Sequence, residues 1–258
     1  MLEKFRAAKQ AEIEALRKLE SRGALPEFSA EPKPLFSDAL RSKRPCAVIA
    51  EYKRASPSKG EINLRLGPAE VAQSYARGGA AALSVLTEQD YFQGELSYLE
   101  AAQSAGLPLL RKDFILDPLQ IRQTAATSAS AVLLIVRMFS EPAELTRMIL
   151  LAGAAGLEAV VEAFDEKDVE AAQTAGAGII QVNNRDLDTL QVDLDNARRL
   201  IGRKKDGELW IAASGVQSGQ DLADMAAAGY DAVLVGSHLM AQDDPGQALR
   251  ALIREARL

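Results

Sequence analysis

The chain has 258 residues, 48% of them hydrophobic and 26% charged, and a formal net charge of −6. That length suits one large domain or two small ones, and the apolar share supports a sizeable core and excludes a disordered chain. The acidic balance excludes a broad nucleic-acid-binding face, which needs basic charge, and the one cysteine, Cys46, excludes an internal disulfide and fits a cytoplasmic setting.

Residues 2–22 read as an amphipathic helix, with Leu2, Phe5, Ile13, Leu16 and Leu19 at roughly helical spacing and Arg22-Gly23 as its end. This opening is charged throughout, so neither a signal peptide nor a membrane span is expected there. A proline-containing connector follows over residues 26–34. From Cys46 onward, apolar strand-like runs recur at 46–53, 82–87, 108–114, 130–136, 158–164, 179–184, 209–215 and 232–237. Between them lie helical segments rich in Ala, Glu and Gln, each closing on glycine or small residues. Strand then helix, repeated eight times, predicts an α/β fold, the (β/α)8 or TIM barrel, with an extra N-terminal helix. The expected organisation is a single barrel domain over residues 1–258, with 1–45 as a helical extension packed over one end. An open doubly wound sheet is the rival, but no dinucleotide-type glycine fingerprint follows the first strand.

Enzymes built on such barrels carry their chemistry at the C-terminal strand ends. The first strand ends in Glu51 and Lys53, whose spacing puts both on one face. Taken alone, a solvated ion pair explains them equally well. The other ends bring Ser84, Thr87 and Glu88, then Lys112 and Asp113, then Glu162, then Asn183, Asn184 and Arg185. Charged side chains at the ends of four strands favour a site over scaffolding. The seventh and eighth runs end in Ser214-Gly215 and Gly236-Ser237. Small residues at these two positions favour a phosphorylated small-molecule ligand, since glycine lets backbone N–H groups approach an anion. Ser56, Pro57, Ser58 and Gly60 give residues 54–66 little apolar anchoring, and this loop is expected to order over a ligand. His238, the only histidine, reads as a helix-start residue without a catalytic partner. Trp210 reads as core, and the C-terminal residues 248–258 as an amphipathic helix.

Taken together, AEYKRASPSKG (50–60), LSVLTEQDYFQG (83–94), PLLRKDFILDPLQI (108–121), VLLIV (132–136), VVEAF (160–164), VNNRDL (182–187), ASG (213–215) and VGS (235–237) resemble the indole-3-glycerol-phosphate synthase family of tryptophan biosynthesis. The resemblance runs from about residue 45 to 240, and the N-terminal helix shares it. It implies a carbon–carbon lyase that converts 1-(2-carboxyphenylamino)-1-deoxyribulose 5-phosphate into indole-3-glycerol phosphate with loss of carbon dioxide and water. It implies no metal or organic cofactor, no nucleic-acid or membrane partner, and a cytoplasmic monomer or weak homodimer.

By the same resemblance, Lys112 is the general acid at the substrate carbonyl. Lys53 contacts the substrate and supplies acid for the dehydration, with Glu51 as the matching base. Glu162 stabilises positive charge on the intermediate, and Asn183 and Ser214 orient the substrate. Gly215, Gly236 and Ser237 hold the phosphate, with Arg185 and Ser56 nearby. Two positions depart from the family pattern. Ala213 stands where the family has Glu before Ser-Gly, which removes a carboxylate, and Gln181 stands where it has Gly. Alternation puts Gln181 on one face with Ile179 and Asn183. In an ideal strand residues 213 and 214 face opposite ways, so both reach the site only if the strand bulges or ends early. The alternatives are a family barrel that binds the phosphorylated substrate without turning it over, and a class I aldolase forming a Schiff base on Lys112.

Overall fold

The strands that the apolar runs predict close on themselves. In the computed structural model, which describes residues 2–29, 32–43, 45–186 and 189–257, the strands are β1 (Ala47–Tyr52), β2 (Ala82–Leu86), β3 (Leu109–Lys112), β4 (Ala131–Ile135), β5 (Glu158–Ala163), β6 (Ile179–Asn183), β7 (Leu209–Ala213) and β8 (Ala232–Val235). Each pairs in parallel with its sequence neighbours, and β8 pairs with β1. The helices are α1 (Leu2–Ser21), α2 (Phe36–Ser42), α3 (Pro68–Gly78), α4 (Ser97–Ala102), α5 (Pro118–Ala125), α6 (Pro142–Ala154), α7 (Glu166–Thr174), α8 (Leu194–Leu200), α9 (Gly219–Ala228), α10 (Ser237–Met240) and α11 (Pro245–Ala256). The described residues stop short of Leu187, the last of the VNNRDL motif, and of residues 30 and 31 in the connector. None of the described helices is long and apolar enough to cross a membrane.

Alternation along each strand divides two apolar layers. On β1, Val48, Ala50 and Tyr52 face out to Val71 and Tyr75 of α3, while Ala47 and Ile49 face into the barrel. On β7, Trp210 and Ala212 face out, and Leu209, Ile211 and Ala213 face in. On β6, Ile180 and Val182 face out, which leaves Gln181 and Asn183 inside with Ile179. Local signals fix where the helices begin. Asp117 and Gln120 form a capping box around Pro118, and Ser218 and Asp221 form another at the start of α9.

The N-terminal extension serves both ends of the barrel, not the single end expected. Phe36 and Leu40 of α2 pack with Ala47, Ala82 and Ala131, the first residues of their strands, and close the N-terminal end. Glu158, at the start of β5, accepts the α2 amides of Phe36 at 2.6 Å and Ser37 at 3.0 Å, where a helix N-terminus favours negative charge. At the opposite end, Phe5 of α1 stacks on Phe114 with ring centroids 4.1 Å apart and meets Tyr91 edge-on at 5.1 Å. The observed strands are one to three residues shorter than the apolar runs. The residues lost lie mainly at C-terminal ends, where the backbone leaves the ladder. Residues 54–66, expected as a plain loop, contain a small antiparallel hairpin of Ala55–Ser56 with Gly60–Glu61.

Candidate active site

β1, β3 and β5 each deliver a charged side chain to the C-terminal mouth. Glu51 is 2% exposed, so the solvated-pair reading of Glu51 and Lys53 fails. Its Oε1 meets Lys53 Nζ at 2.7 Å and its Oε2 meets Lys112 Nζ at 3.3 Å. Ser84 on β2 adds a hydrogen bond to Oε2 at 3.3 Å. Burial pushes the Glu51 carboxyl up, but the two ammonium groups outweigh it and bring it down to about 2. The lysines diverge. Burial lowers Lys53 and its pairing with Glu51 only partly offsets this, so its pKa lies below the usual lysine value. Burial also works against charged Lys112, but Glu51 and Glu162 together carry it above that value. One fold thus holds a firmly charged lysine beside one that releases its proton more readily.

Across the mouth, Glu162 accepts from Asn183 Nδ2 at 3.1 Å and from Gln181 Nε2 at 2.5 Å. Asn183 Oδ1 accepts the Arg185 amide at 3.0 Å, which turns its N–H end toward Glu162. The Arg185 guanidinium reaches the Leu190 carbonyl at 2.8 Å, and burial lowers its pKa. β7 ends at Ala213. Ser214 and Gly215 both adopt left-handed backbone, φ 69° and 98°, so the chain turns and Ser214 lines the cleft directly after the inward-facing, buried Ala213. At Gly236 a Cβ would collide with the Glu51 carboxylate, so glycine is required for that approach.

These groups line one continuous cleft. Its inner part, ≈ 790 Å³ counting space open to solvent, holds Glu51, Lys53, Ser56, Lys112, Glu162, Asn183, Arg185, Ser214 and Ser237. It joins an outer part that adds Gly215, Gly236, Lys59 and His238. All the residues predicted for the site therefore converge. Three other polar strand-end residues commit their side chains to separate networks, although Asp113 also borders the inner cleft. Thr87 and Asp113 bond to each other at 2.6 Å in a buried network, and Asn184 donates to the Ser214 carbonyl and accepts the Ala197 amide. His238 is the second residue of α10, as its helix-start reading expects.

The motifs did not reveal the apolar wall. Phe5, Leu86, Phe92, Phe114, Leu133 and Ile135 line the inner cleft among the charges, with Leu86 in register with Lys112 and Ile135 with Glu162. Phe5 is brought there by folding alone, over a hundred residues from Phe114 in the chain. Leu133 and Ile135 carry a readable signal, since both fall on the inward register of β4. An aromatic and aliphatic wall, a cationic centre and a glycine-serine end suit a ligand with a flat apolar part and an anionic tail.

A family model described as indole-3-glycerol phosphate synthase matches residues 2–252. The chain belongs to the indole-3-glycerol phosphate synthase family. A family member from Carboxydothermus hydrogenoformans is 46% identical over 214 residues, covering 82% of this chain and 81% of the relative. One from Aromatoleum aromaticum is 41% identical over 259 residues, covering 98% of each. Among solved structures, 3-hexulose-6-phosphate synthase from Salmonella typhimurium superposes with a TM-score of 0.63 at 18% identity, over 81% of this chain and 97% of that one. That likeness shows the barrel fold alone. Both departures from the family pattern are inward-facing: Ala213 lies in register with Asn183, and Gln181 with Glu162.

Proposed function

We propose that this protein is an indole-3-glycerol phosphate synthase. It closes the pyrrole ring of 1-(2-carboxyphenylamino)-1-deoxyribulose 5-phosphate with loss of carbon dioxide and water. The observation that carries the reading is one cleft that sets Phe5, Phe92, Phe114 and Leu133 beside Glu51, Lys53, Lys112 and Glu162 in a chain of this family. The carboxyphenyl ring lies on the apolar wall, and the phosphate lies at Gly215, Gly236 and Ser237, with Arg185 and Ser56 beside it.

The aromatic carbon bearing the carboxylate attacks the ketone carbon. Lys112 donates a proton to the ketone oxygen, a role that fits an ammonium kept charged by two carboxylates. Glu162 stabilises the positive charge that the attack leaves on the ring and nitrogen. Carbon dioxide departs, and its bonding electrons restore the aromatic ring. Lys53, whose ammonium is the more acidic, then protonates the leaving hydroxyl as water, while Glu51 accepts the proton released as the new double bond forms. Asn183 and Ser214 orient the intermediates.

The Schiff-base alternative requires a neutral Lys112 amine, which the Glu51 and Glu162 charges oppose. The decisive experiment supplies the carboxyphenylamino substrate and follows indole fluorescence and carbon dioxide release. A fluorescent product in one-to-one ratio with carbon dioxide supports the synthase. Binding by calorimetry without fluorescence means a barrel that binds without turnover. A borohydride-stable adduct on Lys112 means the aldolase.

The same reading makes the chain one folding unit, because buried Lys9 and Phe36 tie the extension to the barrel. It also makes it a cytoplasmic monomer or weak homodimer. The exposed large apolar residues, such as Phe28, Leu64 and Leu150, are distributed along the chain, and equilibrium sedimentation tests the state.

A further inference from the structure

Below the rim, two polar side chains each stand beside a carboxylate on the neighbouring strand. On β2, Ser84 lies in register with Glu51 and donates to it. On β6, Gln181 lies in register with Glu162 and donates to it. The interior around them is apolar, with Leu110, Leu133, Val160 and Ile211. We propose that Gln181 is a positioning residue for the synthase reaction, holding the Glu162 carboxylate toward Lys112 from one layer beneath the substrate. The proposal rests on the synthase reading and assigns a role to a residue that the reaction itself does not touch.

Gln181 is fully buried, and its Oε1 has no hydrogen-bond partner among the described residues. An amide that only filled volume would be outperformed by Leu or Met, which leave no polar atom unpaired. Its other end accounts for its presence. An ionised carboxylate only accepts, so the N–H end must face Glu162. Asn183 supplies the second donor, on the other oxygen, and its own orientation is set by the Arg185 amide. Both oxygens of Glu162 are thereby held, which fixes its plane as well as its position. Ala213, in register with Asn183, brings only a methyl group to this level. The donors that orient Glu162 therefore both come from β6.

The test compares Gln181→Met, which keeps volume, with Gln181→Asn, which keeps polarity but loses reach. Indole-fluorescence kinetics are paired with carbon-13 NMR of carboxyl-labelled glutamate, the Glu162 resonance being assigned by its loss in Glu162→Gln. Both variants are expected to lower kcat about tenfold or more, the size of one charge-assisted hydrogen bond. KM should stay within about twofold, since a structural defect would move both. The Glu162 resonance should shift while that of Glu51 stays. In the Glu162→Gln background the effect of Gln181→Met should vanish. An unshifted Glu162 resonance, or a kcat loss that persists in that background, overturns the proposal. Should Gln181→Met fail to fold, Gln181→Asn carries the same readouts. A parent that forms no fluorescent product defeats the synthase reading instead, and the resonance still decides whether Gln181 holds Glu162.

Discussion

Lys112 and Asp113 are adjacent, and each belongs to a different buried cluster of charges. Lys112 faces into the barrel and joins Glu51 and Lys53. Asp113 joins Lys9 of α1 at 2.8 Å and Arg111 of β3 at 3.0 Å. Glu12 of α1 pairs with both of those cations. In this second cluster the hydrogen-bonding capacity of Arg111 and Asp113 is taken up. Arg111 bonds Thr87, Gln123, Thr124 and the Gln120 carbonyl besides its two acids, and Asp113 also accepts from Thr87 and its neighbouring amide. In the first cluster, Lys53 and Lys112 retain N–H groups that open on the cleft. Burial and charge are common to both clusters. Lysines with a single acid partner at the cleft distinguish the one built for chemistry.

Substitutions in the two clusters should separate activity from stability. The largest effect expected is that of Lys112→Ala, which should reduce turnover by roughly two to four orders of magnitude through loss of proton donation. Its melting temperature should remain close to the parent's, and activity within tenfold would remove Lys112 from the acid's role. Asp113→Ala should act the other way. Leaving Lys9 and Arg111 with Glu12 as their one shared acid should cost about 3–5 kcal/mol of stability, read by denaturant unfolding, with kcat of the folded fraction changed far less.

A subtler distinction lies in pH. The Glu51 carboxyl titrates at about 2 in the folded protein against an ordinary value of 4.5. Its pKa is depressed, so its stabilisation is fully present above 4.5 and is lost as pH falls toward 2. In Glu51→Gln, melting temperature should therefore fall less steeply across that window than in the parent, and an unchanged slope would contradict the pairing. The smallest effect is that of Thr87→Val. It strips one hydrogen bond from buried Asp113 and should cost about 1–3 kcal/mol with turnover per folded molecule unchanged. A matching Ser84→Ala beside Glu51 should do the reverse, changing kcat more than stability.

The barrel was legible because parallel strands buried on both faces read as continuous apolar runs, and eight such runs leave few alternatives. The charged half of the site was legible because barrel strands deliver their chemistry from known ends. Other features depended on tertiary packing. Asp113 looked like a rim residue until α1 supplied Lys9. The Phe5 contact with Phe114 joins segments that no local pattern relates. The left-handed turn at Ser214, which brings it to the cleft directly after inward-facing Ala213, is a backbone choice usually announced by glycine, and here the glycine stands one residue later.

The plug formed by Phe36 and Leu40 makes the barrel a vessel with a closed floor. Whatever enters the cleft must leave by the way it came. Traffic is then single file: a bulky phosphorylated product obstructs its own successor until it departs. Such an enzyme would show competitive product inhibition. Widening that floor would give no second exit, because Ile49, Leu133 and Ile211 fill the passage above it.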